Sequence, residues 1–296
     1  MTSTATPPFG RLVTAMVTPF TADGSIDHDE AARLATYLVD DQRNDALVVS
    51  GTTGEAPTTT DEEKSALLKT VVAAVGDRAR IIAGVGTFDT AHTVHLAQEA
   101  ERCGATGLLV VTPYYSRPPQ DAVAAYFEAV ADSTDLPVLM YDIPHRSGIP
   151  IETDTLLRLA EHPRIVGVKD AKGQPGASAQ VIAATDLAYY AGDDAMLLPV
   201  LSVGGVGVVG TSTHFTGART AGIIQSYLAG DHAAALAGFQ AVLPVYTGVF
   251  ATQGCMLVKG GLSARGFGPA RLRPPLLAPT EEQTARFVAL LDAAGL

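Results

Sequence analysis

Residues 165–170 read Ile165-Val166-Gly167-Val168-Lys169-Asp170. Apolar and small residues run without polar alternation and then give way to two charges. A strand with one wet face alternates apolar and polar side chains, whereas a strand covered on both faces reads as a continuous apolar run. The segment therefore predicts a parallel strand buried on both sides, with Lys169 at its C-terminal end.

Similar runs occupy residues 12–18, 46–50, 80–85, 107–112, 137–141, 188–191 and 206–210. Their spacing is near 30 residues, the size of one βαβ unit. Helical segments lie between them. Thr60 to Glu63 reads as a capping box ahead of an apolar stripe at Leu67, Val71 and Ala74. The segment from Thr90 to Cys103 stops at Gly104, a common helix terminator. Residues 121–131, 153–160 and 218–229 have helical character too. Strand–helix alternation repeated about eight times predicts a closed (β/α)8 barrel, a TIM barrel, ahead of its main competitor, a doubly wound open sheet. The expected organisation is a barrel over residues 1–230 and a C-terminal helical extension over 231–296. Within the extension, residues 231–250 and 280–294 look helical, and a Gly- and Pro-rich stretch near 260–279 separates them.

Composition narrows the function. The chain has 296 residues, with 47% hydrophobic and 17% charged residues, which excludes a disordered polymer. A net charge of −11 argues against nucleic acid or an anionic membrane as partner. The first ten residues lack the basic start and apolar run of a secretory signal, and no apolar run reaches the roughly 20 residues that span a bilayer. Two cysteines, Cys103 and Cys255, are too few for a disulfide framework. A cytoplasmic enzyme acting on small molecules is expected.

In such barrels the chemistry sits at the C-terminal strand ends. Only five lysines stand against fifteen arginines, and of the five only Lys169 closes an apolar strand. Lys64 and Lys69 are expected on a solvent-facing helix, Lys172 in a loop beside Gly173 and Lys259 in the C-terminal region. A desolvated lysine loses its proton more readily and becomes a nucleophile toward carbonyls; a surface lysine at a strand end would read the same way. Gly51-Thr52-Thr53-Gly54-Glu55 offers hydroxyls and backbone N–H groups suited to a small carboxylate, or makes an ordinary strand–helix turn. Tyr141 could relay protons or fill the core. Arg146 could clamp a carboxylate through two N–H groups or lie in solvent. Gly205-Val206-Gly207-Val208-Val209-Gly210 matches a dinucleotide-binding pattern, but it lies within a predicted strand and not at a turn opening a helix. His92 and His95, three apart on a helix, lack a third ligand and read as a solvated face.

In order and jointly, Gly51–Glu55, Thr112-Pro113-Tyr114-Tyr115, Tyr141-Asp142-Ile143-Pro144-His145-Arg146 and Gly167-Val168-Lys169-Asp170 resemble the dihydrodipicolinate synthase/N-acetylneuraminate lyase family. The resemblance runs from about Leu12 to the C-terminus. It implies an imine between Lys169 and pyruvate, with Tyr141, Thr52 and a neighbouring subunit's copy of Tyr115 relaying protons. It also implies a pyruvate carboxylate site at Thr53, a backbone carbonyl at Val209 near the imine, and a site wall at Gly192. A homotetramer without organic cofactor or metal is expected. An arginine at Arg146 and Thr52 as the first hydroxyl of the turn place the chain with the synthases, which use aspartate semialdehyde in lysine and diaminopimelate biosynthesis. The alternatives are another 2-keto acid aldolase acting on a sugar acid, a silent keto-acid sensor, and a zinc-dependent aldolase. His145, Gly210 and the Gly-rich stretch 253–269 depart from the family's usual pattern.

The resemblance also bears on regulation. Lysine-inhibited members hold free lysine with a Ser-Ala pair after the turn's Glu, two histidines on the second helix, and an Asn and a Glu after the third strand. Here Ala56 and Pro57 follow Glu55, Asp61 and Lys64 replace the histidines, and Phe88 and His92 replace the Asn and Glu. Lys64 repels an ammonium and Phe88 offers no amide. L-Lysine at millimolar concentration is therefore expected to leave activity nearly unchanged; an inhibition midpoint below about 1 mM, which requires binding stronger than about 4 kcal/mol, would contradict this.

Overall fold

The structure is a computed structural model that describes residues 7–296. Residues 1–6, part of the stretch read for a secretory signal, lie outside the described residues. The strands are β1 (Leu12–Ala15), β2 (Ala46–Val49), β3 (Arg80–Gly84), β4 (Gly107–Val111), β5 (Val138–Asp142), β6 (Ile165–Asp170), β7 (Ala188–Ala191) and β8 (Gly207–Gly210). They follow one another in sequence order around a closed parallel barrel. The closed sheet, not the open one, is thus the solution the apolar runs adopt. The helices are α1 (His28–Asp40), α2 (Asp61–Val75), α3 (Thr90–Arg102), α4 (Gln120–Asp132), α5 (Pro144–Ser147), α6 (Thr153–Leu159), α7 (Pro175–Ala184), α8 (Leu197–Ser202), α9 (Thr213–Leu228), α10 (His232–Gly248), α11 (Gly254–Ala264) and α12 (Glu281–Ala293). Among the described residues, no helix is long and apolar enough to cross a membrane.

The chain divides into two compact units. One comprises the described residues up to Arg11 together with Arg80–Val209. In it, register aligns Tyr141 with Lys169 and Lys169 with Tyr190 across β5, β6 and β7. Neighbours in register point to the same face, so these three share one side of the sheet, and Asp142, Asp170 and Ala191 share the other. The Tyr190 hydroxyl donates to the Gly10 carbonyl at 2.9 Å and accepts from the Phe9 N–H at 3.3 Å. Phe9 is buried against Gly107, where an added Cβ would meet its ring at 2.3 Å. The dinucleotide-like glycines are explained by packing. Gly207 begins β8, and a Cβ there would lie 1.9 Å from the Arg11 carbonyl oxygen.

The other unit comprises Leu12–Ala79 and Gly210–Leu296. The capping box forms as expected: Thr60 accepts from the Glu63 N–H, and the Glu63 side chain accepts from the Thr60 N–H. Glu63 also receives Arg273 in a two-pronged contact at 2.6 and 2.7 Å. The Gly-rich stretch departs from the sequence reading, because Gly260 and Gly261 lie inside α11. Glycine ordinarily costs a helix about 1 kcal/mol relative to alanine. Here close packing compensates: a Cβ on Gly261 would meet Phe215 at 2.8 Å and Phe287 at 3.0 Å, and one on Gly260 would meet Pro279 and Thr284 at 2.9 Å. The glycines let α12 lie directly on α11.

His214, at the start of α9, is wholly buried. Its Nδ1 donates to the Thr211 carbonyl at 2.8 Å and its Nε2 accepts from the Val17 N–H at 3.2 Å, so the ring is neutral with the proton on Nδ1. Burial pushes its pKa down to about 4 from 6.5. The unfolded chain therefore binds a proton between pH 6.5 and 4 that the folded chain refuses, and stability falls as pH drops through that window. The expected loss from this residue is about 3 kcal/mol. Urea unfolding at pH 7 and pH 4 should show a smaller pH loss for His214→Gln than for the wild type; equal losses would contradict the assignment.

Candidate active site

Lys169 lies one residue from the end of β6 and is 4% exposed. Its Nζ sits 4.2 Å from the centroid of the Tyr141 ring, on the adjacent strand and in register with it. Burial is the main reason its pKa falls to about 8; Arg146 lowers it further, and Asp194 pulls in the opposite direction. At pH 7 such a lysine is neutral roughly 300-fold more often than one at its ordinary value. The arrangement supplies a readily deprotonated amine against an aromatic face, with a phenol on the same side chain: the parts of a carbonyl-attacking nucleophile with a proton donor beside it.

Lys169 is not the only buried lysine. Lys259 is also 4% exposed, and the Lys172 side chain is 8% exposed. What separates the three is their company. Lys259 contacts the Glu55 carboxylate at 2.5 Å and the Arg271 carbonyl at 2.7 Å. Lys172 lies 2.9 Å from the Asp142 carboxylate. Burial lowers the Lys259 pKa as well, but there the Glu55 carboxylate in direct contact opposes the shift, whereas Lys169 meets the Tyr141 ring.

The other expected site residues occupy strand ends or the loops that follow. Arg146 is exposed on α5, the single turn after β5, which Gly148 terminates at φ +87°. Gly192 follows β7; its N–H donates to the Asp170 carbonyl at 2.8 Å, and a Cβ would press on Asp170 and Ala171 at 3.0–3.1 Å. That packing accounts for the glycine. Val209 is buried in β8. Tyr115 follows β4, is 94% exposed and adopts φ +74°, a conformation costly for an aromatic residue. In the other unit, the 51–55 turn is closed by hydrogen bonds from the Gly54 and Ala56 N–H groups to the Gly51 carbonyl at 3.0 and 3.3 Å. Thr18 donates to the Gly54 carbonyl at 2.6 Å. Thr53 is buried with its hydroxyl 3.5 Å from that of Thr211, and Thr52 is exposed.

Three residues escaped the sequence reading. Asp194 is buried and acts electrostatically on Lys169. Asp142 and Lys172 form the ion pair beside Tyr141. The available signal was an acid placed next to Tyr141 at the end of an otherwise apolar strand, because a carboxylate buried there requires a cation.

The fold and site define a barrel protein with a buried, deprotonatable lysine at a strand end. The model of the dihydrodipicolinate synthetase family matches residues 8–294, and the chain belongs to that family. Among its relatives, the 4-hydroxy-tetrahydrodipicolinate synthase of Acidothermus cellulolyticus is 60% identical over 100% of this chain and 96% of its own length. That of Cutibacterium acnes is 57% identical over 98% and 99% of the two chains. Among solved structures, a dihydrodipicolinate synthase from Bacillus anthracis superposes with a TM-score of 0.93 at 38% identity, covering 96% of this chain and 98% of its own. The enzyme from Cyanidioschyzon merolae, solved with lysine bound, gives 0.95 at 36% identity and covers 98% and 99%.

With five lysines in the chain, their titration is open to direct observation. In protein carrying lysine labelled with carbon-13 at Cε, one resonance is expected to titrate with a midpoint near 8 and to vanish in Lys169→Met. A Lys169 signal with its midpoint above about 10, the ordinary lysine range, would show that burial does not activate the amine.

Proposed function

We propose that the chain makes 4-hydroxy-tetrahydrodipicolinate from pyruvate and aspartate semialdehyde, a step in lysine and diaminopimelate biosynthesis. The observation that carries this reading is Lys169, desolvated at the end of β6 and set against Tyr141. The whole-length match to synthases at 57–60% identity supports it.

The neutral Lys169 amine attacks the C2 carbonyl of pyruvate, and loss of water gives the imine. The protonated imine withdraws electrons from C3, which loses a proton to form an enamine; free pyruvate has no comparable electron sink. The enamine carbon adds to the aldehyde of the second substrate. The amine of that substrate then attacks the imine carbon, displaces Lys169 and closes the ring. One water leaves and one lysine is regenerated per turnover. Tyr141 and Thr52 serve as proton carriers in this scheme, Thr53 and the Val209 carbonyl hold pyruvate, and Gly192 forms the wall. Arg146 takes the carboxylate of aspartate semialdehyde. Its charge also disfavours a proton on Lys169, which supports its presence in the same electrostatic environment.

Tyr115 completes the relay of a neighbouring copy. Its exposure and unfavourable backbone conformation support a side chain held outward for a partner. A cytoplasmic homotetramer, with residues 1–230 as barrel and 231–296 as helical extension, belongs to the same proposal.

The test is a substrate panel. Pyruvate with aspartate semialdehyde should turn over, while N-acetylneuraminate and 2-keto-3-deoxygluconate should not. Arg146→Ala should lose about 1.5–3 kcal/mol of transition-state stabilisation toward the semialdehyde, the value of a charge-assisted hydrogen bond. Preferential cleavage of either sugar acid, or wild-type kinetics in Arg146→Ala, would overturn the substrate assignment.

A further inference from the structure

The segment that carries Arg146 is anchored at its ends by one buried ion pair. Asp142 closes β5, and its side chain has no exposed surface. Its Oδ1 accepts the Ile151 N–H at 3.2 Å. Its Oδ2 lies 2.9 Å from Lys172 Nζ in an ionic contact outside hydrogen-bond geometry, and among the described residues that oxygen has no hydrogen-bond partner. Lys172 Nζ also donates to the Ile151 carbonyl at 3.3 Å. Ile151 is thus held through both its N–H and its C=O by two side chains that hold each other.

Lys172 is tied in turn to the strand of the nucleophile. Its backbone N–H donates to Asp170 Oδ1 at 2.9 Å, and Asp170 directly follows Lys169. The Ala171 N–H donates to the Asp142 carbonyl at 2.9 Å. Between Asp142 and Ile151 the segment sets its own shape. Ser147 donates to the carbonyls of Ile143 and Ile149 at 3.1 and 2.8 Å, and the Gly148 N–H donates to the Pro144 carbonyl at 2.8 Å. His145 and Arg146 are the exposed side chains of that turn. With the turn rigid within itself, the placement of Arg146 depends on how its two ends are fixed.

We propose that the Asp142–Lys172 pair is a clasp that positions Arg146 for the carboxylate of the second substrate. The proposal rests on the reading of Arg146 given above. Asp142 lies on the face of the sheet opposite Lys169, Lys172 meets it from the loop after β6, and both act through the backbone, so they are positioning residues. Burial pushes Asp142 up to about 6, and the Lys172 charge opposes that rise. Without Lys172, the carboxylate is left buried without its counter-charge and the Ile151 carbonyl loses a donor. The end of the segment is released while β6 and its nucleophile stay in place.

Lys172→Met should raise KM for aspartate semialdehyde about tenfold, equivalent to about 1.4 kcal/mol. It should leave KM for pyruvate and the rate of borohydride trapping of pyruvate within about twofold of wild type, a difference below about 0.5 kcal/mol. Lys172→Arg, which keeps the charge, should recover most of the loss. Asp142→Asn keeps the acceptor for the Ile151 N–H in nearly the same volume; it guards against misfolding and should shift the same KM in the same direction. Hydrogen exchange gives a readout independent of activity: amides 143–151 should exchange faster in Lys172→Met, and amides 165–170 should not. Unchanged KM for the semialdehyde in both variants, or an equal rise for pyruvate, would overturn the clasp. Arg146→Ala is measured alongside. If it leaves KM for the semialdehyde unchanged, the reading of Arg146 fails, and the clasp then stands or falls on the exchange of residues 143–151.

Discussion

The desolvation of one ammonium organises this molecule. Lys169 is buried against the face of Tyr141 near the end of a strand whose preceding residues are apolar or small. Transferring a charge into such surroundings is costly, and the cheapest response is to release the proton. An amine almost wholly protonated in water is neutral far more often near neutral pH in this setting. The barrel makes this feasible. Register places Tyr141, Lys169 and Tyr190 on one face, and the strands bring these groups to positions fixed by main-chain hydrogen bonds, not by a flexible loop.

Elsewhere the chain sets an ammonium directly against a carboxylate. Lys259 meets Glu55, and Lys172 meets Asp142. Such pairs contribute little net stability, because their attraction mostly offsets the cost of desolvation, but removing one partner leaves a buried charge exposed to that cost alone. Their value here is geometric. Lys259 joins α11 to the Glu55 turn, and the Arg273 N–H adds a second contact to the same carboxylate at 3.0 Å. Three buried lysines thus do two jobs, and the difference lies in whether a carboxylate meets the ammonium directly.

The strands were legible because two-sided burial removes polar residues from both faces, leaving unbroken Val, Ile and Leu runs. The ends of α3 and the start of α2 were legible from local rules at Gly104 and Thr60. Helix α11 was not. Its glycines weaken helix propensity, and their purpose, contact with Phe215, Phe287 and Thr284, depends on residues distant in sequence. Lys169 stood out because it terminates an apolar run. Lys172 and Lys259 did not, because their partners come from other strand ends and turns, and nothing local marks an ammonium as paired. Asp194 lies just beyond the end of β7, and its influence on Lys169 follows only from the folded arrangement.

The central claim is covalent chemistry at Lys169, and peptide mass spectrometry after reduction with borohydride in the presence of pyruvate tests it most directly. The account predicts one reduced pyruvyl group per chain, carried on the peptide containing Lys169 and absent from Lys169→Ala. An adduct on Lys259 or Lys172, or no adduct under conditions in which the enzyme turns over, would contradict it.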